Sequence, residues 1–117
     1  MAPALSGIST HILDTGAGRP APDVSVTLEQ LVDGAWIPLS HRSTDTDGRV
    51  KQMLPESKTL EAADYRLTFG TGAYFESAHT TGLYPEVQIT FTVRDSGGHY
   101  HIPLLLTANG YSTYRGS

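Results

Sequence analysis

The tightest constraint on the fold is a pair of residues near the end of the chain. Asn109-Gly110 stands between two β-prone runs, His99-Tyr100-His101-Ile102-Pro103-Leu104-Leu105-Leu106-Thr107 and Tyr111-Ser112-Thr113-Tyr114-Arg115-Gly116-Ser117. Such a pair favours a two-residue hairpin turn whose central residues both take positive φ. The expectation is a strand, a tight turn and a last strand running to Ser117. Period-2 alternation places Tyr100, Ile102, Leu104 and Leu106 on one face, and His101, Pro103, Leu105 and Thr107 on the other. The first is a core face. The second sets a histidine among apolar groups, and an isolated chain would expose Pro103 and Leu105 in one patch.

The same alternation recurs upstream. Residues 6–14 read as a strand with Ile8, Thr10 and Ile12 on one face and Ser9, His11 and Leu13 on the other. A Gly/Pro-rich loop over 15–22 leads to a strand over 23–31, then Asp33-Gly34 turns the chain into a strand over 36–44. Pro38 marks that strand as an edge or as the carrier of a bulge. Thr44-Asp45-Thr46-Asp47-Gly48-Arg49 is a turn built from residues that bond their own backbone, and it delivers Arg49 to whatever follows. Residues 51–63 show no period and read as a connection with at most one short strand. Tyr65, Leu67 and Phe69 mark a further strand. Residues 71–79 are the one helix candidate, with Thr71 as N-cap and Tyr74, Phe75 and Ala78 as its apolar stripe. Val87, Ile89, Phe91 and Val93 give the clearest strand, returned by Asp95-Ser96-Gly97-Gly98.

Seven or eight one-sided strands and one short helix make an all-β, two-sheet sandwich over a single domain, residues 1–117. The 12 glycines and 7 prolines agree with a turn-rich chain. A net charge of -4 without a basic run argues against nucleic acid and anionic membranes as partners. The absence of cysteine excludes disulfide and thiolate chemistry. The segment Met1–Gly7 lacks the pattern of a signal peptide, and no apolar run approaches the roughly 20 residues a membrane span needs. A cytoplasmic protein is expected.

Among the five histidines, His41, His79 and His99 fall at strand ends or in loops and read as solvated. His11 and His101 interrupt the less polar faces of their strands, which suits either a hydrogen-bonded structural role or chemistry. A metal site is not expected: no third ligand stands at metal spacing, and the one His-x-His unit is His99-Tyr100-His101, whose histidines share a face. Asp14, Asp45 and Asp47 occupy turn positions where Asp bonds backbone, so they do not form a glycosidase-type pair. No nucleophile elbow, phosphate loop or dinucleotide fingerprint is present.

Four stretches together carry a resemblance. They are Ser6-Gly7-Ile8-Ser9-Thr10-His11-Ile12-Leu13-Asp14, Thr44-Asp45-Thr46-Asp47-Gly48-Arg49, His101-Ile102-Pro103-Leu104-Leu105-Leu106 and the terminal Tyr114-Arg115-Gly116-Ser117. From Leu5 to Ser117 the chain resembles the 5-hydroxyisourate hydrolases, the transthyretin-related proteins of purine degradation. The resemblance implies an eight-stranded, transthyretin-like (prealbumin-like) sandwich with one short helix. It also implies a homotetramer, a dimer of dimers, with a channel lined by His11 and His101. The implied reaction is hydrolytic ring opening of 5-hydroxyisourate to 2-oxo-4-hydroxy-4-carboxy-5-ureidoimidazoline, without a cofactor. His11, Arg49, His101 and Ser117 would be catalytic, and His11, Arg49, Tyr114, Arg115 and Gly116 would bind substrate. A transthyretin-like small-molecule carrier is the alternative, and a carrier of an apolar ligand has little use for two titratable bases. A structural sandwich repeat is the third reading, disfavoured by the lack of flanking repeats and of Thr/Ser-rich linkers.

Overall fold

The computed structural model describes residues 6–117, so Met1–Leu5 and the sequence expectations that fall on them lie outside the described residues. Two sheets enclose one apolar core. The first is organised on β1 (Gly7–Asp14) and β8 (His99–Thr107), which pair in parallel from Gly7↔His99 to Asp14↔Leu106. On the far side of β8 lies antiparallel β9 (Gly110–Thr113). Two-residue strands β2 (Arg19–Pro20) and β5 (Arg49–Val50) share the outer edge of β1. The second sheet is antiparallel in the order β4-β3-β6-β7, comprising β3 (Ser25–Val32), β4 (Ala35–Ser43), β6 (Ala63–Phe69) and β7 (Val87–Val93). Among the described residues nine strands thus stand where seven or eight were expected. The two beyond seven are β2 and β5, loop segments that pair with β1 over two residues each.

The faces follow the alternation. Ile8, Ile12, Tyr100, Ile102, Leu104 and Leu106 meet Val26, Leu28, Tyr65, Leu67 and Phe69 across the core. Asp33 and Gly34 take φ of 50° and 80°, the mirror-image turn expected between β3 and β4. Pro38 lies on an edge strand, and the register against β3 shifts there, leaving Leu39 as the extra residue of a bulge. Helix α1 (Thr71–Ser77) buries Tyr74 and Phe75 as its stripe predicts. Its N-cap is Gly70 rather than Thr71, which is buried and donates its hydroxyl to the Tyr84 carbonyl instead. The helix is tied to β1 by the Tyr74 hydroxyl, which donates to Asp14 Oδ2 at 2.7 Å. Burial of the phenol, reinforced by that carboxylate, pushes its pKa up to about 12.

The C-terminal hairpin departs from expectation twice. Its two turn residues are Ala108 and Asn109, Gly110 already belongs to β9, and neither Asn109 nor Gly110 has positive φ. Thr107 holds this turn instead, its hydroxyl bonding Asn109 N and the Gly110 carbonyl. The last strand ends at Thr113, and the chain regains β8 only at Gly116, whose N–H donates to the His101 carbonyl at 2.8 Å. Pro103 explains the interruption. The His101 carbonyl points to the β9 side, so the position two residues on does too, and proline has no N–H to donate there. The tail also covers Pro103, which is buried within the chain, so Leu105 is left without the patch partner expected for it. Among the described residues no helix is long and apolar enough to cross a membrane.

Candidate active site

The outer face of the β1–β8 sheet gathers the polar residues singled out in the sequence. Parallel register sets Ser9 opposite His101 and His11 opposite Pro103, while β5 sets Arg49 opposite His11. Side chains at paired positions share a face, so Ser9, His11, Arg49, His99 and His101 all rise from one surface.

The turn that delivers Arg49 is held by Asp45. Its Oδ1 accepts the N–H groups of Asp47 and Arg49, both at 2.9 Å. These bonds, led by that from Arg49, hold the Asp45 carboxyl below its ordinary pKa. Gly48 takes φ of 74° and presses against β1: a Cβ there would lie 2.4 Å from the Ile12 carbonyl oxygen. Only glycine meets both demands. The turn therefore docks on β1, and the His11 Nε2 donates to the Asp47 carbonyl at 2.8 Å. A carbonyl can only accept, so Nε2 carries a proton, and in the neutral ring Nδ1 is the bare nitrogen.

A cavity of about 240 Å³ opens between β5 and β8, with Ser9, Arg49, Lys51, His99, His101 and Ser117 in its wall. His101 is half-buried, and Ser9 is buried at 7% exposure. The Ser9 hydroxyl lies 2.8 Å from His101 Nδ1 and 2.8 Å from His99 Nε2. Burial lowers the His101 pKa below the ordinary imidazole value, and the nearby charges of His11, Arg49 and His99 act in the same direction. The ring is thus held neutral at pH 7 and available as a base.

Gly116 closes one side of His101. A Cβ on Gly116 would stand 2.5 Å from His101 Cδ2 and 3.3 Å from Pro103 Cγ, so the backbone packs directly on the imidazole. Ser117 then reaches the cavity wall. The two remaining terminal residues are placed differently. Arg115 sits over the Tyr100 ring, 4.2 Å from its centroid, and is not part of the cavity wall. Tyr114 is 56% exposed and is not part of the cavity wall. His11 is likewise outside the wall of this single chain, beside it through the Asp47 turn.

Five wall residues were not picked out in the sequence as site residues: Ser9, Thr10, Val50, Lys51 and His99. His99 was expected to be solvated, yet it is bonded through Ser9 to His101. The signal was present in His99-Tyr100-His101, two histidines on one face, but the serine that bridges them comes from β1, 90 residues away in sequence. His41 also has a partner, the Ser25 hydroxyl at 2.7 Å, on the other sheet. Among the described residues no three His, Asp or Glu side chains come together as metal ligands would.

Comparison with known families gives the same frame. The model of the HIUase/Transthyretin family matches residues 8–116. The chain belongs to this family. A relative from Salmonella dublin, named 5-hydroxyisourate hydrolase, is 49% identical over 110 residues, spanning 94% of this chain and 80% of that protein. The solved structure of Klebsiella pneumoniae 5-hydroxyisourate hydrolase superposes with a TM-score of 0.83 at 38% identity, covering 96% of this chain and all of that one. Sea bream transthyretin, solved in complex with thyroxine, superposes with a TM-score of 0.86 at 29% identity, over 93% of each chain. The fold is thus shared by proteins named 5-hydroxyisourate hydrolase and by a transthyretin solved with thyroxine.

Proposed function

We propose that the chain is a 5-hydroxyisourate hydrolase. The observation that carries the reading is the neutral, half-buried His101 facing a cavity that also holds the Arg49 guanidinium. Hydrolysis of a cyclic amide needs a base for water, positive charge for the developing oxyanion, and a proton for the departing nitrogen. His101, with Nδ1 engaged by Ser9, has Nε2 for the attacking water and then returns that proton to the ring nitrogen. Arg49 presents a fixed charge and a planar donor fork to the carbonyl oxygens, worth about 3–4 kcal/mol of barrier for an oxyanion donor. His11, its Nε2 anchored on the Asp47 carbonyl, offers Nδ1 as an acceptor that orients water or substrate N–H. Ser117 and Gly116 shape the end of the pocket. A carrier of apolar ligands draws no benefit from this set.

The assembly that belongs to this reading is a cytoplasmic homotetramer. What supports it is that β7 and β9 each pair on one side only, with Tyr84, Tyr111 and Tyr114 exposed near them. Light scattering should give a mass four times the 12.6 kDa of one chain, and a monomer would remove that part of the proposal. The test of function is an ultraviolet time course of freshly prepared 5-hydroxyisourate. Catalytic amounts of protein should accelerate its loss, and an unchanged spontaneous rate would refute the reading.

A further inference from the structure

Behind His101 the hydrogen bonding continues through Ser9 to His99. Ser9 lies opposite His101 in the parallel register and diagonal to His99 two residues earlier, so its hydroxyl bridges both rings at 2.8 Å. Ser9 is buried, His101 half-buried and His99 exposed, and all three stand in the cavity wall, so the chain runs from the more buried ring to the exposed one. A hydroxyl has one proton, so it can donate to only one of the two rings at a time. Two arrangements are therefore available. In one, His101 Nδ1–H donates to Ser9, Ser9 donates to His99 Nε2, and His101 Nε2 is bare. In the other, His99 Nε2–H donates to Ser9, Ser9 donates to His101 Nδ1, and the His101 proton resides on Nε2.

We propose that His99-Ser9-His101 is a proton relay that lets His101 act first as base and then as acid within one turnover. The inference rests on the hydrolase reading given above. When water attacks, its O–H bond breaks and an N–H bond forms at His101 Nε2. In concert the Nδ1–H bond breaks toward Ser9 Oγ, and the original Ser9 proton forms an N–H bond at His99 Nε2. The positive charge then sits on the exposed His99 rather than on the more buried His101, which already faces Arg49 and His11. As the ring C–N bond breaks, Nε2–H passes to the departing nitrogen. His101 Nδ1 recovers a proton through Ser9, His99 returns its own, and the starting arrangement is restored with no net proton gained or lost by the chain.

Ser9 and His99 are positioning residues in this scheme, since Ser9 touches His101 and His99 reaches it through Ser9. The experiment compares wild type, Ser9→Ala, His99→Gln and the double variant on 5-hydroxyisourate, in H2O, in D2O and in mixtures of the two. Each single change should lower kcat about tenfold, the lower range for a proton-transfer group, with KM within about twofold. The double variant should fall no further than Ser9→Ala, because one break interrupts the relay. The wild-type rate should depend on deuterium fraction along a curve, as several protons move together, and the Ser9→Ala rate along a straight line. An active wild type with a straight dependence, or single losses that multiply in the double variant, would overturn the relay alone. Ring-nitrogen NMR of the resting protein gives a readout independent of turnover. His101 should carry its proton on Nδ1 in wild type and lose that preference in Ser9→Ala, and a wild-type proton on Nε2 would overturn the assignment. A wild type that does not accelerate 5-hydroxyisourate loss overturns the functional reading itself, and with it the catalytic use of the chain.

Discussion

Replacing Gly116 with alanine separates the site from the fold more cleanly than changing any charged residue. The added methyl would lie 2.5 Å from His101 Cδ2 and 3.3 Å from both His101 Cγ and Pro103 Cγ. Carbon atoms in contact sit at about 3.5–4.0 Å, so roughly 1 Å of space must open. One way is for the tail to lift, which breaks the 2.8 Å bond from Gly116 N to the His101 carbonyl and loosens Arg115 from the Tyr100 ring. The other is for the imidazole to swing, which breaks its 2.8 Å bond to Ser9. A hydrogen bond is worth about 0.5–1.5 kcal/mol and an exposed cation–π contact about 0.5–1 kcal/mol. The first route therefore costs about 1–2.5 kcal/mol, a fall in Tm of roughly 4–10 °C for a domain of this size. Both routes disturb the cavity wall at His101 and Ser117, so the rate on 5-hydroxyisourate should fall about tenfold or more. Circular dichroism gives the melt, and the ultraviolet time course gives the rate. Removing residues 114–117, or extending the chain past Ser117 with a tag, should have the same signature: fold kept, turnover lost. A Gly116→Ala protein with wild-type kcat/KM would refute the claim that tail and imidazole pack as one unit.

His11→Asn, His101→Asn and Arg49→Ala should each keep a folded protein while lowering the hydrolysis rate about tenfold or more, and a melt paired with a rate distinguishes this from a structural role. Because burial lowers the His101 pKa, its bare nitrogen persists below the ordinary imidazole value of 6.5. The rate should therefore hold as pH falls to that value and drop only below it; an acid limb centred above 6.5 would remove His101 as the base. Tyr74→Phe leaves the Asp14 carboxylate, 6% exposed, with the Ala17 N–H as its remaining bond. Stability should fall by about 1–3 kcal/mol with the rate per folded protein unchanged, since Tyr74 lies in α1, outside the cavity wall. Denaturant titration measures the loss, and a neutral result would show that this bond does not hold α1 to β1.

The sequence by itself determined which residues of the regular strands face inward. Alternation in 7–14, 65–69 and 99–107 is a local property of the extended chain, and Ile8, Ile12, Tyr65, Leu67, Phe69, Tyr100, Ile102, Leu104 and Leu106 all lie in the observed core. Met53, Leu54 and Leu60 join it from a stretch with no period. Asp33-Gly34 and Asp45-Thr46-Asp47-Gly48 likewise act within a few bonds, so their turns were legible, as was the two-faced character that singled out His11 and His101. The hairpin at 108–109 was misplaced by a residue because Asn-Gly is a preference, and hydrogen bonds from Thr107 outweigh it. The last strand was drawn too long because a missing N–H matters only once a partner strand lies alongside Pro103. Only the tertiary structure could decide the site. The parallel register of β1 on β8 places Ser9 between two histidines 90 and 92 residues away, and β5 brings Arg49 opposite His11 across 38 positions of chain. Distances of that kind are fixed by sheet pairing and by the core beneath it, and no local pattern in the chain encodes them.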